Sequence, residues 1–174
     1  MNVQEYLLVD GYNIIFSWKI LNKLISVSME SARLKLLEIL SNFQAFMGIG
    51  VIVVFDAHKV KDNIGLEYAH NDIRVAYTKE NESADMYIER IVSEFSKKYK
   101  VRVATNDGLE QVMIMGKGAY RISASELYLE IVKSNKKMRE SYIEKRPIKN
   151  NTLLDNLDEN TRILLEKMRL EKGS

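Results

Sequence analysis

An α/β fold, with a mostly parallel central sheet flanked by helices, is the architecture that the 174-residue sequence predicts. Three observations carry it. Short apolar runs at Glu5–Val9, Val51–Phe55 and Lys100–Thr105 read as strands, and Val51–Phe55 has the uniformly apolar, β-branched character of a strand covered on both faces. Longer segments with apolar residues at helical spacing alternate with these runs, which implies right-handed crossovers and helices on both faces. The length suits one domain with a small appendage, and 46% apolar residues is ordinary for a chain that buries a core without staples. The division expected is a domain over residues 1–140 and a basic helical C-terminal extension over 141–174.

In chain order, Glu5–Val9 is a buried strand closed by the turn Asp10-Gly11-Tyr12-Asn13. Met29–Met47 is helical, with Ala32, Leu36, Ile39, Leu40 and Phe43 on one stripe, Ser28 as N-cap, and Gly48–Gly50 as its stop. Val51–Phe55 is the second strand, polar Lys59–Asn71 reads as a loop, and Ile73–Tyr77 is a third, weaker strand. Ser83–Lys98 is helical through Met86, Ile88, Ile91, Val92 and Phe95. After the strand Lys100–Thr105, the pattern predicts a short helix at Leu109–Met115 and an edge strand at Ala119–Ile122. Ser123 and Glu126 then form a capping box that starts a long helix running past Lys137. Pro147 lies in a polar stretch, and Asp158–Leu170 has the spacing of a final amphipathic helix.

Composition narrows the chemistry. With no cysteine, disulfides and thiolate metal sites are excluded, so any metal is held by oxygen or imidazole donors, which favours hard ions such as Mg²⁺ or Mn²⁺. Acidic residues stand where a signal peptide would carry positive charge, and no stretch reaches membrane-spanning length, so a cytoplasmic protein is expected. Net charge is only +2, but its distribution is uneven. Lys133–Lys149 holds seven Lys or Arg against two Glu, while acidic residues gather around Glu80–Asp85. A basic arm beside an acidic pocket suits a protein that holds a polyanion and cuts it through metals.

Ligands of an open parallel sheet bind outside the carboxyl ends of its strands. Three predicted strands end in aspartate there: Asp10 in LLVDGYN, Asp56 in VVFDAH and Asp107 in VATNDG. Asp85 joins them at the start of a helix, with Glu82 three residues before it on the same side of the first turn. Each has a structural alternative: Asp10 and Asp107 as turn residues, Asp85 as a charge at a helix N-terminus, Glu82 as part of the cap. Gathered together they repel one another and invite cations. A divalent ion there lowers the pKa of bound water and stabilises an in-line phosphoryl transition state. Asn13 is placed to orient a metal-bound water or a phosphate, and Tyr12 to stack on a base or to edge the core. His58 and His70 read as solvated loop residues. No P-loop or dinucleotide fingerprint is present.

VDGYN at Val9–Asn13, VIVVFDAH at Val51–His58, TKENESAD at Thr78–Asp85 and ATNDG at Ala104–Gly108 together resemble the YacP-like branch of the NYN domain family, over roughly residues 5–140. The resemblance implies a PIN-like three-layer fold and divalent-metal-dependent endoribonuclease activity. It implies that Asp10, Asp56, Asp85 and Asp107 are the acidic, metal-binding and catalytic set, supported by Asn13 and Glu82. It also implies a link to translating ribosomes, with mRNA as substrate. The fourth-strand motif reads TND where TSD is expected, a change that leaves the carboxylate in place. Lys79, Lys133, Lys136, Lys137 and Arg139 are the candidates for holding the RNA backbone. The competing readings are a DNA-directed nuclease, a non-catalytic PIN-like module that binds RNA or the ribosome, and a phosphatase using Asp10 as nucleophile. The last lacks the D-x-D pairing it needs.

Overall fold

The computed structural model describes residues 4–57, 65–108 and 115–144. The elements run β1 (Glu5–Asp10), α1 (Gly11–Ser17), α2 (Lys19–Ile25), α3 (Met29–Met47), β2 (Gly50–Phe55), β3 (Glu67–His70), β4 (Ile73–Tyr77), α4 (Ala84–Phe95), β5 (Lys100–Ala104), β6 (Tyr120–Ile122) and α5 (Ala124–Glu144). The six strands form one sheet in the order β3-β4-β2-β1-β5-β6. All pairs are parallel except β3 with β4. The chain divides into a unit of residues 1–138 and a second of 139–174. The sheet belongs to the first.

Period-two alternation along the central strands sorts the core into two layers. Leu7, Val9, Val51, Val53 and Phe55 face one side, where Ile14, Leu21, Leu36, Leu40, Phe43, Leu127 and Ile131 from α1, α2, α3 and α5, with Trp18 from the α1–α2 junction, cover them. Leu8, Ile52 and Val54 face the other, against Tyr87, Ile88, Ile91 and Val92 of α4. Both layers are buried, which explains the unbroken apolar run of β2. The predicted caps hold: Ser28 accepts from Ser31 N–H, Gly48 ends α3 in the left-handed region, and Ser123 and Glu126 bond reciprocally at the start of α5.

Two expectations need correction. Lys59–Asn71 is not loop throughout, because it contains β3. Asn71 and Asp72, at φ 45° and 69°, form a tight two-residue connection between β3 and β4. Three of the four β3 residues are exposed, so the strand carries no apolar signal; Tyr87 of α4 fastens it by donating to Glu67 at 2.7 Å. The Asp10–Asn13 turn is also more than a turn, since Asp10 passes directly into α1 as its N-cap. The predicted helices at Leu109–Met115 and Asp158–Leu170 lie wholly or mainly outside the described residues. So do His58 and Lys145–Lys149. Among the described residues no helix is long and apolar enough to cross a membrane.

The tight strand-to-helix passage at Gly11 has a steric cause. A Cβ there would meet the Phe55 ring at 2.3 Å, and Phe55 is fully buried between Tyr12 and Tyr77. Gly11→Ala is therefore expected to destabilise the protein by about 1–3 kcal/mol, the usual range for overpacking a filled core. Urea denaturation followed by circular dichroism measures it, and an unchanged midpoint would show that the ring moves aside freely.

Candidate acidic site at the carboxyl edge of the sheet

β1 lies between β2 and β5, so the residues that follow these three strands emerge side by side at one edge, with strands about 4.8 Å apart. Asp10 ends β1, Asp56 follows β2, and Asp107 comes three residues after β5. Asp85 reaches the same edge from the first turn of α4, which Ser83 caps by accepting from Met86 N–H. The Asp85 carboxyl is held above the ordinary carboxylate value, first by burial, then by the negative charges of Asp107 and Asp56. Asp85 is an exposed residue, yet enough protein surrounds the carboxyl for loss of water to lead the shift. Three of the four predicted aspartates thus share one field. Asp10 sits on the central strand between two of them, and one of its oxygens accepts from Asn13 N–H at 3.1 Å.

Two buried threonines and the exposed Asn106 fix the backbone on which these carboxylates stand. Thr78, fully buried after β4, donates its N–H to Phe55 O at 3.0 Å and accepts from Ala57 N–H at 3.0 Å. It thereby clamps both sides of Asp56. Thr105, also fully buried, accepts from Asp107 N–H at 3.0 Å. Asn106 is the larger clasp: its N–H donates to Asn13 Oδ1 at 3.1 Å, its Nδ2 to Ser17 Oγ at 3.0 Å, and its Oδ1 accepts from Ala124 N–H at 3.0 Å. One side chain therefore ties the Asp107 loop to α1 and α5. The sequence marks Asn106 only as a departure from the expected TSD and gives neither it nor Thr78 a bracing role, since their partners lie far away along the chain.

The supporting residues have defined neighbours. Asn13 presents its side-chain oxygen to Asn106, so it holds the loop of Asp107. Glu82 lies before the α4 cap and pairs with Arg90 at 2.9 Å, two turns along. Tyr12 is core, with 3% exposure; its hydroxyl accepts from the buried Arg33 at 3.0 Å, and its ring meets Phe55 edge-on. Burial raises the Tyr12 hydroxyl pKa, with the Asp56 charge adding to the rise. Lys79 is exposed in the segment between β4 and α4. Lys133, Lys136, Lys137 and Arg139 are exposed on α5, and Arg139 begins the second unit.

The donor set is chemically suited to a hard divalent cation: all oxygen, mutually repelling, and free of sulfur. Among the described residues no three acidic or histidine side chains converge as a ready-made cage. That arrangement still fits Mg²⁺ or Mn²⁺, because Mg²⁺ keeps several waters and is commonly held by only one or two carboxylates.

A PIN-like α/β fold with aspartates gathered at the carboxyl edge of its sheet defines the class of protein. The sequence pattern of the YacP-like NYN domain matches residues 7–170, and the chain belongs to that family of PIN-like nucleases, whose members generally use divalent metals. The match runs about thirty residues beyond the resemblance visible in the motifs. The chain is 44% identical over 130 residues to the "Uncharacterized protein YacP" of Bacillus subtilis (strain 168), covering 73% of this chain and 75% of that one. It is similar to the crystal structure of Rae1 (YacP) from Bacillus subtilis, with a TM-score of 0.69, 32% identity, and coverage of 99% and 96% of the two chains. A mutant form of that protein matches at TM-score 0.71 and 34% identity, covering 94% of this chain and 99% of that one.

Proposed function

We propose that the chain is a divalent-metal-dependent endoribonuclease that cleaves single-stranded RNA at the edge formed by Asp10, Asp56, Asp85 and Asp107. The observation that carries this reading is geometric: Asp10, Asp56 and Asp107 follow three neighbouring parallel strands and Asp85 stands at the start of α4, near enough for the Asp107 and Asp56 charges to act on it. The negative charges of Asp107 and Asp56 disfavour ionisation of Asp85, and a cation at this edge would relieve that cost. Mg²⁺ or Mn²⁺, held by a subset of these four with water completing its shell, would supply a lowered water pKa and charge neutralisation at the phosphorus. The protein's own part is to hold those oxygens in place, through the Thr78 clamp and the Asn106 clasp, and to keep the RNA backbone close. Lys79 stands in the segment just before the Asp85 helix, and Lys133, Lys136, Lys137 and Arg139 are exposed along α5; phosphate contacts from these fix position without reading sequence. Glu82 and Asn13 act as supports, through Arg90 and Asn106 respectively.

We place the nuclease domain at residues 1–140, with 141–174 as a basic extension. Family resemblance extends the proposal to mRNA on cytoplasmic ribosomes. The test is cleavage of one labelled sequence presented as single-stranded RNA, as DNA, and as mRNA on ribosomes, with Mg²⁺, Mn²⁺ or EDTA. Internal RNA cuts that need the metal are the expected result. Equal cutting of DNA would replace the substrate class, and no cutting in any form would leave a binding module.

A further inference from the structure

A notch of about 370 Å³ opens between the α1–α2 junction and the first turns of α5, lined by Ser17, Trp18, Lys19, Ile20, Tyr128 and Leu129. We propose that this notch is a stacking subsite for one unpaired nucleobase of the RNA strand running from the acidic edge, an inference that rests on the nuclease reading. Its wall is aromatic. Trp18 is buried, donates its indole N–H to Ala124 O at 2.8 Å, and meets the Tyr128 ring edge-on at 5.5 Å. Tyr128 is 43% exposed, so the buried tryptophan braces a ring that is open to solvent. A braced, exposed ring is a platform on which any base can stack, whatever its identity.

One hydrogen bond links the notch to the acidic edge. Ser17 on its wall accepts from Asn106 Nδ2, and Asn106 is the residue beside Asp107. In this proposal a strand with a phosphate at the aspartates runs by way of Asn106 and Ser17 to the ring. Lys19, exposed on the lining, supplies positive charge for the neighbouring phosphate. On α5, Val132 and Lys136 continue the Tyr128 face at helical spacing, and both are exposed. Apolar wall, hydroxyl and ammonium within one notch match a nucleotide better than a protein.

Trp18 is the chain's only tryptophan, so its fluorescence reports binding directly. In the Asp85→Asn background, to prevent cleavage, a single-stranded RNA hexamer is titrated with Mg²⁺ present. Binding is expected to change Trp18 emission. Tyr128→Leu, which keeps an apolar side chain and so the fold, should raise Kd about tenfold, while Tyr128→Phe leaves it unchanged. A hexamer with one base removed at the stacking position should bind about tenfold more weakly to the Tyr128 protein, with no further loss on Tyr128→Leu. Equal binding by Tyr128→Leu, or independent addition of the two losses, overturns the subsite. A change of sedimentation on Tyr128→Leu without any change in RNA affinity would likewise overturn it, by making the notch a contact between copies. If the wild-type protein cuts RNA while Tyr128→Leu alters neither Kd nor KM, the subsite fails and the nuclease reading stands. If wild type neither binds the hexamer nor cuts, both fail.

Discussion

Asp85→Asn is expected to reduce metal-dependent RNA cleavage by on the order of 10²- to 10³-fold, the loss typical of removing one preorganised electrostatic group from an active site. It is also expected to stabilise the metal-free protein at neutral pH. The sign follows from the direction of the shift. Burial, then Asp107 and Asp56, hold the Asp85 carboxyl above its ordinary value, so the folded protein binds that proton more tightly than the unfolded chain. Stability from this group therefore falls as pH rises from the ordinary carboxylate value to the raised one, and the cost is complete above that window. Asparagine carries no such cost. The helix dipole argues the other way, since a negative charge in the first turn of α4 is worth about 0.3–1 kcal/mol. If the dipole dominated, Asp85 would instead add stability as pH rises. Thermal melts of both proteins in EDTA at pH 4 and pH 8 separate these cases. Mn²⁺ should then raise the melting temperature of wild type more than that of the variant. Equal responses to Mn²⁺, or full cleavage by Asp85→Asn, would remove Asp85 from the site. Asp107→Asn should lose cleavage by a similar factor, and the double variant should lose little more than either alone, because groups acting as a unit are not additive.

Why the acidic edge was legible while its scaffolding was not comes down to range. An aspartate at or just after the end of a strand is a local pattern, and parallel topology then sends every such residue to the same edge; Asp10, Asp56 and, after a short turn, Asp107 are visible on that ground. Asp85 needed only the helix start that Ser83 marks. The polar supports depend on contacts across long stretches of chain. Thr78 reaches Ala57 over 21 residues, Asn106 reaches Asn13 over 93, and Trp18 reaches Ala124 over 106. Nothing in the local pattern of a threonine or asparagine announces such a partner.

The missed elements have similar causes. α1 and α2 are seven residues each, too short to persist alone in water, and the β-branched pair Ile14-Ile15 lowers helical propensity. They hold because Asp10 caps the first, and because Ile14, Ile15 and Leu21 are fully buried against the sheet. β3 is mostly exposed, and its existence rests on the left-handed turn at Asn71-Asp72 and on its pairing with β4. In each case tertiary contact decides what local preference leaves open.

Asn106 turns the departure from the expected TSD motif into a second test with a large effect. Its carboxamide donates to Ser17 and accepts from Ala124 at the same time, at 3.0 Å each, while its backbone N–H reaches Asn13. Serine is shorter and has a single hydroxyl, so it cannot span both partners. Asn106→Ala leaves Ala124 N–H and Ser17 without their partner, and should cost about 1–3 kcal/mol where those groups remain shielded from water. The catalytic consequence is larger. A displacement of about 1 Å at a reacting centre costs on the order of 10²-fold in rate, and Asp107 is the next residue on this loop. Asn106→Ala is thus expected to lower kcat by about that factor, with KM for RNA changed far less, and Asn106→Ser should fall between the two proteins. Because the loss acts through a displaced carboxylate, Mn²⁺ titration of the cleavage rate should show a higher half-saturating concentration for Asn106→Ala. A purely structural role would lower melting temperature and leave that concentration where it is. Unchanged kcat and unchanged Mn²⁺ dependence, in a variant that melts lower, would reduce Asn106 to a brace for α1 and α5 and leave Thr105 as the support of Asp107.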